Sequence, residues 1–184
     1  EVIKTDIEGV VIIEPKIFGD ARGYFYESFN AAEFEAKTGI KTTFVQDNQS
    51  KSSYGVLRGL HFQKPPYAQS KLVRVVEGAV VDVAVDIRRG SPTFGKYVAV
   101  ELTAENHCQL FIPRGFAHGF IVKSQTAIFQ YKCDNYYAPQ SEGAIAWDDP
   151  DLGIDWRVPS TDRILSEKDS HHPLLKDAEI VFEY

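Results

Sequence analysis

What most constrains this chain is its rhythm: short β-prone segments cut at near-even spacing by Gly, Pro, Asn and Asp. Such segments cover residues 10–13, 18–29, 42–50, 56–63, 97–102, 107–112, 116–122 and 127–134, with a strand–turn–strand unit at 69–86 broken by Glu77-Gly78. Many short strands so spaced predict an all-β fold, a double-sheet barrel of the jelly-roll kind. One helix is expected at 30–37, where Asn30 can cap, Glu33 follows three residues on and Gly39 supplies the stop. The last fifty residues are loop-rich and carry both tryptophans, so this tail should lie across the barrel rather than dangle. No repeat or low-complexity linker divides the chain, and a single domain over 1–184 is expected.

The segment V-L-R-G-L-H-F-Q, residues 56–63, departs from the pattern because a buried strand does not normally hold an arginine and a histidine. On a regular strand Arg58 and His61 would face opposite sides. Gly59 lies between them, and a glycine inside a strand often marks a bulge that re-aims its neighbours. Either the two are paired structural groups, or they line a wet cavity that binds an anion and moves a proton.

Composition narrows the partners. A net charge of −6 argues against nucleic acid, which needs a basic face. No apolar run approaches the roughly 20 residues that cross a bilayer, and the stretch from Glu1 does not read as a signal peptide. Cys108 and Cys133 are too few for a disulfide framework, so a reduced, cytoplasmic protein is expected.

Other polar residues in strands each carry two readings. Gln46 and Asn48 share a face, as an edge hydrogen-bond ladder or as donors toward a sugar or phosphate. Lys71 shares a face with Val73 and Val75, its head either snorkelling to water or charging a cavity. Tyr131 shares parity with Phe129 and Cys133, and is either a structural tyrosine or an inward acid. Arg22 reads as a solvated edge charge or as a contact across a subunit interface. His171 and His172, in a polar stretch before Pro173, are expected to be exposed and without a role.

A barrel with histidines raises the cupin metal motifs, G-x5-H-x-H with a following Glu, then P-x-G-x-x-H. Gly55 and His61 fit the first, but Gln63 replaces its second histidine; Pro113, Gly115 and His118 fit the second. One histidine from each half is too few for a firm metal site, so no metal is expected and His61 is free to act as a base.

The ordered blocks F-G-D-A-R-G-Y-F-Y-E, F-V-Q-D-N-Q-S, L-R-G-L-H-F-Q, S-K-L-V-R-V, I-P-R-G-F-A-H-G-F, Y-K-C-D-N-Y-Y and L-S-E-K-D span about 18–173. Together they resemble the dTDP-4-dehydrorhamnose 3,5-epimerase family. That resemblance implies a cupin-type jelly roll working as a homodimer without a cofactor, on a thymidine-diphosphate-linked 4-keto-6-deoxyglucose inverted at C3 and C5. It further implies His61 as proton acceptor, Tyr131 as proton donor and Asp169 as the group that orients His61. Lys71 is the candidate to stabilise the enolate. Arg22, Glu27, Gln46, Asp47, Asn48, Arg58, Lys71, His118, Glu142 and Lys168 fall where the family contacts substrate. Arg58, with Arg22 from a partner chain, suits the pyrophosphate; Glu27 suits the thymine N3 proton; Tyr24, Phe25 or Tyr137 could stack on thymine. Two departures stand out: Arg157 where a proline is expected, and the paired histidines at 171 and 172. The rivals are a sister enzyme inverting only one carbon of a related sugar, a non-catalytic sugar-binding cupin, and a metal-dependent cupin oxygenase.

Overall fold

The computed structural model describes residues 1–184. Its strands are β1 (Val2–Lys4), β2 (Val11–Ile13), β3 (Phe18–Asp20), β4 (Gly23–Phe25), β5 (Gln46–Ser53), β6 (Leu57–Gln63), β7 (Lys71–Glu77) and β8 (Ala79–Asp86). They continue with β9 (Arg88–Arg89), β10 (Tyr97–Thr103), β11 (Gln109–Ile112), β12 (Phe116–Val122), β13 (Thr126–Cys133), β14 (Glu142–Ala144) and β15 (Phe182–Glu183). One helix, α1 (Ala31–Thr38), interrupts them. Asn30 Oδ1 accepts the Glu33 N–H, and Gly39 closes the helix at φ 73°, as its sequence signals require. The Glu33 carboxylate turns instead to Lys37, 2.8 Å away.

Two sheets make the barrel. One has six strands in the order β1-β2-β11-β7-β13-β5, the other five in the order β10-β8-β12-β6-β14. The turn at Gly78 therefore does not close a hairpin: it carries the chain from one sheet to the other, so the two valine-rich strands β7 and β8 face rather than pair. This is the expected cupin-like jelly roll.

Alternation decides which residues enter which core. Val73, Val75, Ala84, Phe120 and Phe129 fill the barrel interior between the sheets. The odd-numbered valines of β8, Val81, Val83 and Val85, point outward and are covered by the C-terminal tail, with Trp156 almost fully buried among them. Helix α1 covers the other sheet, seating Phe34 against Leu72 and Phe111. Each fully buried large side chain contributes about 1.5–3 kcal/mol, so the tail belongs to the fold. No helix is long and apolar enough to cross a membrane.

The segment 18–29 differs from its expected form. It holds only the short hairpin β3–β4, with Phe18, Tyr24 and Phe25 exposed. Aromatic content gives it strand propensity, but no third strand pairs with the hairpin, and only Phe29 at the segment's end packs on the core beside Phe34.

Candidate active site

The site begins with the bulge. His61 lies opposite His118 on β12, and Arg58 lies opposite Phe120, so Gly59 and Leu60 together face the single residue Gly119. That extra residue cancels the parity difference, and Arg58 and His61 point into one cavity. Only glycine fits at the bulge: Gly59 has φ +133°, and a Cβ there would meet Gly119 Cα at 2.7 Å.

A turn of 3-10 helix, Lys168–Ser170, brings Asp169 beneath this bulge. Its Oδ1 lies 2.6 Å from His61 Nε2, and its Oδ2 accepts the Gly59 N–H at 3.3 Å. His172 Nε2 reaches the same Oδ1 at 2.9 Å. Burial pushes the Asp169 carboxyl up, but hydrogen bonds from His61, His172 and Gly59 outweigh it and hold it well below the usual carboxylate range. His61 is 44% exposed on its side chain while Asp169 is buried, so the pair has one wet end and one dry end. With Nε2 committed to Asp169, the other ring nitrogen, Nδ1, is left for chemistry.

A second histidine–aspartate pair lies alongside. His118 Nε2 sits 2.7 Å from Asp82 Oδ1, both side chains are buried, and Asp82 Oδ2 has no hydrogen-bond partner. Burial pushes the Asp82 carboxyl up against the pull of His118 and Lys71, and pushes the His118 imidazole down against the pull of Asp82. Both shifts run toward the neutral form.

The facing sheet supplies Lys71 and Tyr131. Lys71 pairs with Cys133, and Tyr131 with Val73 and Asn48, so their side chains share the inner face. Lys71 Nζ stands 5.6 Å from the Tyr131 ring centre. Burial lowers the Lys71 ammonium, with Cys133, Asp82 and Glu142 pulling it back; burial raises the Tyr131 phenol. His61, Lys71 and Tyr131 all line a cavity of about 520 Å³, walled further on by Tyr137, Glu142 and Lys168. There Glu142 accepts the Tyr137 hydroxyl at 2.9 Å and the Lys168 ammonium at 3.1 Å. Burial raises the Glu142 carboxyl, but these two partners outweigh it and the net shift is downward.

Of the other expected residues, Gln46 and Asn48 do share a face, with Gln46 Nε2 donating to Asn48 Oδ1 at 3.1 Å. Arg58 donates to Ser52 Oγ and lines a second, smaller cavity that shares His61, Lys71 and Tyr131 with the first. Asp47, between the two amides, faces the other side of the sheet and pairs with Lys132 at 3.0 Å. Arg22 and Glu27 lie outside the cavity: Arg22 is 90% exposed and paired to Asp20, and Glu27 accepts from Asn30.

Sequence reasoning missed two groups. His172, expected to be exposed, is 11% exposed on its side chain and bonds to Asp169, whereas His171 is exposed as expected. The one signal was spacing: His172 stands three residues beyond Asp169, just past the 3-10 turn Lys168–Ser170. Asp82 was also overlooked, although a charge between Val81 and Val83 is unusual. As for a metal, the donor atoms of His61, Asp169 and His172 cluster within 4.8 Å. Separations of 2.6 and 2.9 Å are those of hydrogen bonds, and are shorter than the roughly 3.3 Å between tetrahedral ligands each about 2.0–2.1 Å from a shared ion. Gln63, where the cupin metal motif has histidine, is fully spent on the backbone: Nε2 donates to the carbonyls of Tyr67 and Tyr136, and Oε1 accepts the Ala138 N–H.

The model of one protein family, described as dTDP-4-dehydrorhamnose 3,5-epimerase, matches residues 4–177. The chain belongs to this family. It is similar to the dTDP-4-dehydrorhamnose 3,5-epimerase of Salmonella typhimurium, 58% identical over 177 residues and 96% of each chain. It is also similar to that of Escherichia coli K12, 59% identical over 91% of this chain and 90% of the relative. Among solved structures, the dTDP-6-deoxy-D-glucose-3,5-epimerase of Legionella pneumophila in complex with dTDP-4-keto-L-rhamnose superimposes with a TM-score of 0.96 at 52% identity, covering 100% of this chain and 98% of that one. The epimerase family is thus met both in sequence and in the barrel that carries the cavity.

Proposed function

We propose that this chain inverts C3 and C5 of dTDP-4-dehydro-6-deoxy-D-glucose, giving dTDP-4-dehydro-L-rhamnose, with His61 as base and no cofactor. The observation that carries the reading is the 2.6 Å His61–Asp169 contact facing Lys71 and Tyr131 across one cavity. Each proton to be moved lies next to the C4 ketone, so its removal leaves an enolate at O4. His61 Nδ1 takes the proton, and the Asp169 carboxylate on Nε2 fixes the tautomer and stabilises the imidazolium so formed. The Lys71 ammonium neutralises the O4 charge; losing one such preorganised donor typically costs roughly a hundredfold or more in rate. Tyr131, kept protonated by burial, returns a proton to the opposite face. One proton leaves and one arrives at each carbon, and both groups reset through solvent.

The nucleotide half supplies positioning energy. Tyr137, stacked on thymine or the sugar from the cavity wall, is favoured over Tyr24 and Phe25, which sit on the outlying hairpin. Glu142 and Lys168 bind beside it, and Arg58 takes the pyrophosphate through its forked donors. Gln46, Asn48 and His118 supply hydrogen bonds; Asp47 acts through its backbone, because its carboxylate points away. Arg22 and Glu27 enter from a second copy of the chain, in a homodimer that covers the exposed Phe18, Tyr24 and Phe25. Two unpaired thiols in one domain suit a cytoplasmic enzyme.

The names of relatives at 58% and 59% identity specify inversion at two carbons, which favours this reading over the single-carbon alternative. Tyr131→Phe tests the division of labour. Incubated with substrate in D2O, it should exchange the C5 and C3 protons yet form little inverted product. Full epimerisation by this variant would remove tyrosine as the acid.

A further inference from the structure

Asp169 Oδ1 accepts from two imidazoles at once, His61 at 2.6 Å and His172 at 2.9 Å. The two rings meet edge to face, their centres 5.9 Å apart at 87°. His172 is nearly as sheltered as the carboxylate itself, while its sequence neighbour His171 is exposed. We infer that His172 is a positioning residue that shares with His61 the single proton stabilised by the Asp169 carboxylate.

One anionic oxygen can stabilise one imidazolium well. A second would sit within hydrogen-bond reach of the same oxygen as the first, with only one negative charge between them. The first proton added to the cluster therefore spreads over two rings, and the second is held back to lower pH. His61 keeps part of its population neutral, and so active as a base, in a range where a lone histidine on the same carboxylate would be charged. Such coupled sites titrate as a pair, with two macroscopic steps.

Other charged groups around the pair set where the steps fall but not their number. Arg58 shares the strand of His61, His118 faces it from β12, and Glu142 comes from β14. Lys71 and Tyr131 face it from the opposite sheet. Lys168 comes from the turn that carries Asp169, and the paired Lys64 and Glu179 line the same cavity as His172. None of these shares the Asp169 oxygen, so none competes for the same proton.

The inference rests on His61 being the base, and the test separates the two. The acid limb of kcat/KM is measured for the intact enzyme, each profile scaled to its own maximum, beside the nitrogen-15 shifts of His61 across the same pH range. The native protein should fall in two stages spread over more than one pH unit, with His61 shifts that move in two steps. His172→Gln keeps an N–H for Asp169 but cannot take a proton; its limb should collapse to one single-proton step, complete at higher pH, and the His61 titration should become a single step. If His172→Gln keeps a two-stage profile and a two-step His61 titration, the sharing is wrong and His172 only braces the loop. The spectral titration needs no turnover, so it stands or falls whatever residue proves to be the base. His172→Phe is the second variant: it also removes the competing proton site, and a native two-step titration there would overturn the inference equally.

Discussion

Two histidine–aspartate pairs stand side by side on neighbouring strands, and they share composition, contact atoms and nearly the same separation, 2.6 and 2.7 Å. They differ in water. His61–Asp169 has an open histidine, and its carboxylate receives three N–H groups. His118–Asp82 is sealed, and one carboxylate oxygen receives nothing. Hydrogen bonding overcomes desolvation at Asp169 and fails to do so at Asp82, so one carboxyl is held anionic while the other is driven toward its neutral form. A short contact between the same two residue types therefore does not define a function: the first pair can take up a proton and hold it as an ion pair, and the second cannot without burying charge.

The sharpest way to break this contrast is to replace each carboxylate by its amide. Asp169→Asn should lower kcat by about three to four orders of magnitude, because the amide neither fixes the tautomer nor stabilises the imidazolium. Asp82→Asn, which mimics a neutral carboxyl, should stay within about tenfold of the native rate. Steady-state kinetics decide, and equal losses would mean that the two pairs do the same work.

A smaller effect comes from the bulge that gives His61 and Arg58 a common face. Gly59→Ala forces a side chain at φ +133° against the Gly119 backbone, and should destabilise the fold by about 2–3 kcal/mol in denaturant titration. A variant as stable as the native protein would show that the strand does not need its extra residue.

The smallest effect is in the pH dependence of stability, where the pairs should have opposite signs. Asp169 titrates lower folded than unfolded, so its contribution is present above the ordinary carboxylate range and lost as pH falls through and below about 4. Asp82 titrates higher folded than unfolded, so the fold loses stability as pH rises from about 4 through its raised value. Melting curves should show Asp169→Asn flattening the acid slope, and Asp82→Asn gaining on the native protein as pH rises. Parallel curves would contradict the assignment.

Much of this was legible in the residues because period two is a local rule. The barrel strands, the helix caps, the tail laid with Trp156 over β8 and the shared faces of Lys71 with Val73 and of Tyr131 with Phe129 all follow from alternation and turn chemistry. Gly59 even announced the bulge. Contacts made across 108 residues, such as His61 with Asp169, have no such local signature, and only the resemblance carried by the S-E-K-D block pointed to them. The polar flanks of His172 suggest exposure, whereas burial there is set by the turn folding back on β6. Arg22 and Glu27, which the resemblance sets against substrate, stay outside the cavity of a single chain.

The most direct measurement of the central claim follows solvent deuterium into the sugar by proton NMR, using His61→Asn and thymidine-diphosphate 4-keto-6-deoxyglucose in D2O. No enzyme-dependent exchange is expected at C3 or at C5 while the nucleotide sugar still binds. Exchange at both carbons within a few fold of the native rate would show that another group removes the protons.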